Sequence, residues 1–203
     1  KNKHAGTIGD IGCFSFQGAK LLAIGEGGML VTNNEKIYEE AKLLADMYTT
    51  KEFWQTKIGY MYEMNNVSAS VGLGQLEHIH ELLLKKQLIY QWYAEELREL
   101  YPMNHCEDGN TINHWMTSII VPNQTYRAKL RNYLKDHAID TRPFFYPISM
   151  FGIYPRRYKN PESYRIGLRG INLPSTVRLL EEEVKHVASV VKDFATHYEG
   201  YSQ

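Results

Sequence analysis

The residues most able to do chemistry lie near the start of the chain. The string Ser15-Phe16-Gln17-Gly18-Ala19-Lys20 is followed by Gly25-Glu26-Gly27-Gly28-Met29-Leu30-Val31-Thr32. A lysine amine condenses with an aldehyde and, once released, carries a proton from one carbon to another. Neither histidine nor arginine makes that covalent bond. A serine hydroxyl donates to a phosphate oxygen, and glycines let a loop take positive φ and bring backbone close to a ligand. Together these residue types suit an aldehyde cofactor with a phosphate tail. By spacing alone, a surface lysine on a turn between two core strands is the plainer reading.

The elements that must position these groups follow from the hydrophobic pattern. Residues 11–16 form a short apolar run, predicted to be a buried strand with Cys13 and Ser15 on one face and Phe14 and Phe16 on the other. Ser15 then arrives at the strand's end, beside the loop that carries Lys20. In open α/β sheets that end faces the crevice where ligands bind. A second strand over residues 29–32 precedes a helix from 35 to about 47, capped by Asn33 or Asn34. A polar, aromatic loop covers residues 48–63. One long helix is predicted from 67 to about 100, capped by Asn66, with Val71, Leu76, Ile79, Leu83 and Leu88 as its apolar face. After Asp108-Gly109-Asn110 comes a smaller α/β unit: a strand near 117–121, a helix near 126–137 and an extended stretch from 139. A closing helix over residues 177–198 carries Val184, Val187, Val191 and Phe194 on one face.

The string Gly9-Asp10-Ile11-Gly12-Cys13-Phe14-Ser15-Phe16, with Lys20 and Gly25-Glu26-Gly27-Gly28, resembles the lysine segment of the nucleotide-sugar aminotransferases, the DegT/DnrJ/EryC1/StrS family. Three further blocks are similar to that family in its order. They are Gly59-Tyr60-Met61-Tyr62-Glu63-Met64-Asn65-Asn66 with Gly72-Leu73-Gly74-Gln75-Leu76-Glu77, then Thr141-Arg142-Pro143-Phe144-Phe145-Tyr146-Pro147, and Leu173-Pro174-Ser175. The resemblance implies an α/β architecture of the aspartate aminotransferase type. Residues 1–66 would be the tail of the large domain, with its mixed, mainly parallel sheet, and the interface loop. Residues 67–108 would be a bridging helix and residues 109–203 a small C-terminal α/β domain. In the family the lysine lies near the middle of the polypeptide. The chain, opening on Lys1-Asn2-Lys3-His4, is therefore expected to be the C-terminal part of a longer protein.

The resemblance also implies an activity. Pyridoxal 5'-phosphate would be the cofactor, with Lys20 as catalytic residue and anchor and Ser15 as a phosphate ligand. Glutamate would be the amino donor and a nucleotide-linked 4-keto-6-deoxy sugar the acceptor, as in perosamine-type synthases. Arg142 would meet a substrate phosphate and Tyr146 line the sugar or base pocket, while Phe144 and Phe145 read better as core. The active site would be shared across a homodimer, with the loop of residues 59–66 reaching the partner's cofactor phosphate. Where the family often has Asn-Tyr-Arg-Met, this chain has Met61-Tyr62-Glu63-Met64. Met61 donates no hydrogen bond and Glu63, pointed inward, would repel phosphate, so either Asn65 or Asn66 would serve instead or the contact would be lost, Asn66 being equally readable as a helix cap. A 3-keto-sugar aminotransferase shares these motifs. A sugar dehydratase of the family carries histidine where this chain has Lys20. A non-catalytic homologue that binds a partner is the third alternative.

Composition is that of an ordinary globular chain. Lys plus Arg and Asp plus Glu stand at 23 each, so no strong field favours nucleic acid or a membrane surface. Hydrophobic residues make up 43%, too many for a disordered chain. No apolar run reaches bilayer-spanning length. Two cysteines, Cys13 and Cys106, make no disulfide framework, and a cytoplasmic setting is expected. His78 and His80 stand two apart on a predicted helix and share no face, so no metal site is expected. His114-Trp115 reads as packing, and Arg156-Arg157-Tyr158-Lys159 as a solvated basic loop.

Overall fold

The two apolar runs near the N-terminus pair with each other as an antiparallel ribbon. The computed structural model describes residues 3–155 and 159–198, and the chain divides into one unit ending at Glu81 and a second beginning at Leu82. In the first unit β1 (Gly12–Ser15) and β2 (Gly28–Val31) pair with Gly12 opposite Val31 and Ser15 opposite Gly28. α1 (Glu35–Ala45) follows, and the side chain of Asn34 caps it by accepting from the backbone N–H groups of Lys36 and Ile37. α2 (Asn66–Glu77) and the start of α3 (Ile79–Leu97) complete this unit.

Three expectations change here. β1 is not buried on both faces: Cys13 and Ser15 are exposed and Phe14 and Phe16 half-buried, because a two-stranded ribbon has only one covered face. Both sheets among the described residues are antiparallel rather than mainly parallel. The single long helix is two. At His78 the backbone leaves the helical region (φ −103°, ψ 11°), and its N–H turns back to the carbonyls of Gln75 and Leu76. Gly72 and Gly74 on the α2 side weaken any tendency to run on. The predicted apolar face therefore mixes two helices. Val71, Leu76 and Leu88 are 48%, 51% and 43% exposed, while α3 buries Lys86, Ile89, Tyr93, Ala94 and Leu97.

The second unit holds the larger core. Its elements are β3 (Thr117–Ile120), α4 (Gln124–Asp136), β4 (Arg142–Pro143), α5 (Pro161–Gly167), β5 (Gly170–Leu173) and α6 (Glu181–His197). The sheet runs β3-β5-β4, with β5 between its neighbours, Ile119 opposite Ile171 and Arg142 opposite Asn172. Ile119, Ile171 and Leu173 from the sheet, Tyr126, Leu130 and Leu134 from α4, and Ile89, Tyr93 and Leu97 from α3 pack together. The stripe of α6 predicted from periodicity, Val184, Val187, Val191 and Phe194, is buried among them. Leu130 and Leu134 share one face of α4, and burying such side chains contributes roughly 1.5–3 kcal/mol each. Among the described residues, no helix is long and apolar enough to cross a membrane.

Candidate active site

The segment from residue 16 to residue 27 is drawn into a closed loop by its own backbone. Phe16 N–H donates to Gly27 O at 2.9 Å, Ile24 N–H to Phe16 O at 2.8 Å, and Gly18 N–H to Gly25 O at 2.7 Å. Gly25 stands at φ 87°, a region that favours glycine, and open space surrounds the position where a Cβ would project. Inside this neck Lys20 N–H donates to Gln17 O at 2.8 Å, and Ala19 N–H to the Gln17 side-chain oxygen at 2.9 Å. Lys20 therefore sits half-buried in a tight turn whose two ends are tied together.

Ser15 ends β1 at the base of the loop. Its exposed hydroxyl accepts a long bond of 3.4 Å from Gln17 N–H, which leaves the O–H available as a donor. An amine, a donating hydroxyl and uncrowded glycine backbone on one hairpin make a donor set that fits an aldehyde cofactor with a phosphate tail. Ser15 and Lys20 are thus brought onto one short segment, as the sequence predicts.

The cap of α2 is Asn65 rather than Asn66. Asn65 Oδ1 accepts from Ser68 N–H at 2.9 Å, and Asn66 is the exposed first residue of the helix. The amide oxygen of Asn65 is spent locally because extended backbone at residue 65 aims it at the open N–H groups of the first turn. Met61 and Glu63 are both exposed.

Arg142 and Tyr146 lie in the second unit. Arg142 is exposed on β4, and Tyr146 is exposed beyond it. Phe144 packs over Gly170, where a Cβ would fall 2.2 Å from the ring. Phe145 is 79% exposed and is not core, because the chain turns outward after Phe144. Thr141 is buried and held by Arg131, whose Nε donates to its hydroxyl at 3.2 Å and whose Nη2 donates to its carbonyl at 2.9 Å. Arg156 to Tyr158, part of the predicted basic loop, lie outside the described residues.

Two residues were given no role by sequence reasoning. Gln75 of α2 places its amide against the loop that carries Lys20: Ala23 N–H donates to Oε1 at 3.0 Å, and Nε2 donates to Ala23 O. The signal was present, since Gly72 and Gln75 lie one turn apart on the same helix face. Lys86 lies on the buried stripe of α3, one turn before Ile89, and donates from Nζ to Ser175 O at 2.5 Å. Burial lowers its amine to about 8. Tyr93 OH donates to Pro174 O at 2.9 Å, so α3 grips both carbonyls after β5. His114 stacks on Tyr90 with ring centroids 4.0 Å apart, which agrees with a packing role. Its imidazole is held below the usual histidine range by burial and then by the charge of Lys86.

Comparison with known proteins covers nearly the whole chain. GDP-perosamine synthase of Escherichia coli O157:H7 is 37% identical over 198 residues, spanning 96% of this chain and 54% of the relative. GDP-perosamine synthase of Vibrio cholerae is 34% identical over 200 residues, spanning 95% and 54%. The chain thus spans about half the length of these curated relatives. The crystal structure of the aminotransferase TlmJ from Streptoalloteichus hindustanus superposes with a TM-score of 0.90 at 24% identity, over 96% of this chain and 54% of that one, and shows the shared fold. Residues 1–192 match the DegT/DnrJ/EryC1/StrS aminotransferase family. The chain belongs to that family, whose cofactor is pyridoxal phosphate.

Proposed function

We propose that the complete protein containing this chain is a pyridoxal-phosphate-dependent aminotransferase. It moves an amino group from glutamate to C4 of a nucleotide-linked 4-keto-6-deoxy sugar. The observation that carries this reading is the pairing of Lys20 with Ser15 on one hydrogen-bonded hairpin loop in a chain of this family. The names of the two perosamine synthases favour a GDP-linked acceptor.

When bound, pyridoxal phosphate supplies an aldehyde for the amino group and an electron sink for the adjacent carbanion. The chain's own residues do the rest. Lys20 Nζ would hold the cofactor's aldehyde carbon and, as a free amine, would carry the proton from the donor's α-carbon. The Ser15 hydroxyl would donate to a phosphate oxygen. In the second unit the exposed guanidinium of Arg142 is suited to a substrate phosphate, and Tyr146 to the face of the sugar or base. In a cytoplasmic homodimer Asn65 and Asn66 would hold the partner's cofactor phosphate, Asn65 through its amide nitrogen, since its oxygen serves the cap.

The test is the absorbance spectrum of the complete protein with added pyridoxal phosphate, followed by borohydride reduction, peptide mapping, and assay with glutamate and a GDP-linked 4-keto-6-deoxy sugar. A visible band, a reduced adduct on Lys20 and an amino-sugar product are expected. No band, or an adduct on another lysine, overturns the assignment.

A further inference from the structure

The inward face of α2 is small and polar. Along this helix Ser68, Gly72 and Gln75 are half-buried, while Val67, Val71, Leu73 and Leu76 are exposed. The inward positions recur at helical spacing, so they form one face, and Gly72 and Gln75 meet the segment that follows Lys20. A Cβ on Gly72 would stand 3.1 Å from Ile24 Cγ2 and 3.9 Å from Leu22 Cδ2, so the missing side chain sets how near the helix comes.

Gln75 completes what the loop leaves undone. The bonds that close the loop use the backbone of residues 16, 18, 24, 25 and 27, and the turn at its tip uses Gln17, Ala19 and Lys20. Ala23 lies between the tip and the neck. Its N–H and C=O both go to the one Gln75 amide, which behaves as a single residue of a neighbouring strand would. The second hydrogen of that amide reaches Val71 O at 3.4 Å within the helix. A side-chain amide offers a donor and an acceptor side by side on one planar group. Glutamate would set a carboxylate oxygen against the Ala23 carbonyl, and asparagine is one methylene short.

We propose that Gln75 is a positioning residue for Lys20: its paired bonds to Ala23 hold the turn that presents the amine to the cofactor. This inference rests on the reading of Lys20 given above. Lys20 is three peptide bonds from Ala23, a span too short to let the amine keep its place once Ala23 is released. Displacement on the scale of an ångström lowers a rate far more than it lowers binding of a distant substrate.

The experiment uses the complete protein with Gln75→Ala, Gln75→Glu and Gly72→Leu. The last variant pushes a side chain against Ile24 and so draws an unaltered Gln75 away from Ala23. Backbone amide exchange is followed by mass spectrometry without cofactor, and kcat and KM are measured with it. All three variants are expected to exchange about tenfold to a hundredfold faster in peptides covering residues 17–24, with peptides from α1 and α4 unchanged. They are expected to lose roughly ten- to a hundredfold in kcat with KM for the sugar substrate preserved. Wild-type exchange in residues 17–24, faster exchange there with wild-type kcat, or faster exchange throughout the chain would each overturn the positioning role. Absence of a Lys20 adduct in the unaltered protein is a separate result. It removes the reading of Lys20, and the role of Gln75 with it, whatever the exchange pattern.

Discussion

Lys86 Nζ donates to the carbonyl of Ser175 from a site only 4% exposed. A buried ammonium with a neutral partner keeps a large part of its desolvation cost. The lowered value of about 8, against 10.5 for an ordinary lysine, expresses that cost. The position still suits a lysine, whose long side chain carries a donor from α3 to the carbonyl of Ser175.

The pH dependence follows with a definite sign. Below pH 8 the amine is charged in folded and unfolded chains alike, and the cost is present in full. Between about 8 and 10.5 the folded chain releases the proton while the unfolded chain keeps it, so this group makes stability rise with pH. The full effect is about 3 kcal/mol. In urea denaturation, the unaltered protein should gain most of that relative to Lys86→Met between pH 7.5 and 10.5, with tyrosine titration cancelling in the comparison. Parallel profiles would remove the buried charge from this account.

Gly170 and Phe144 make a coupled pair. A Cβ at residue 170 would lie inside the Phe144 ring, at 2.2–2.4 Å from its nearest atoms. Gly170→Ala should destabilise the protein by about 1–3 kcal/mol through overpacking. Adding Phe144→Ala should recover part of that loss, giving a favourable coupling in a double-mutant cycle. Additive effects would show that the ring moves aside without cost.

The cap assignment separates two neighbouring asparagines. Asn65→Ala should cost about 1 kcal/mol, Asn65→Asp should cost much less, and Asn66→Ala should change stability little. Thermal unfolding checks the order of the three variants. The reverse order would return the cap to Asn66.

Ser15 is tested by splitting the cofactor into its parts. Ser15→Ala should weaken pyridoxal phosphate binding by about ten- to a hundredfold, the worth of one hydrogen bond to a charged group. Binding of pyridoxal, which lacks the phosphate, should not change. Equal losses for both ligands would place the effect in the hairpin rather than in a phosphate contact.

Local pattern made much of this molecule legible. Short apolar runs located β1 and β2, the pair Asn33-Asn34 marked the start of α1, and the spacing of Val184, Val187, Val191 and Phe194 fixed the buried face of α6. The string around Lys20 and Ser15 pointed to the family over nearly the whole chain. Other features were hidden. β5, Gly170–Leu173, is the middle strand of its sheet, yet Gly170 and Asn172 interrupt any apolar run that would mark it. α5, Pro161–Gly167, has 7 residues, too few to show a helical stripe.

The sequence by itself determined which residue types are available for chemistry and which stretches can be helix or strand, because both depend on a few neighbouring side chains. Only the tertiary structure decided that the helix breaks at His78, that Asn65 is the cap, and that Gln75 serves a carbonyl and an N–H 52 residues earlier in the chain. Hydrogen bonds between distant segments leave no periodic trace, since each needs only one polar group to arrive beside another. That arrival is set by the packing of α2 against the loop, which permits it because residue 72 has no side chain.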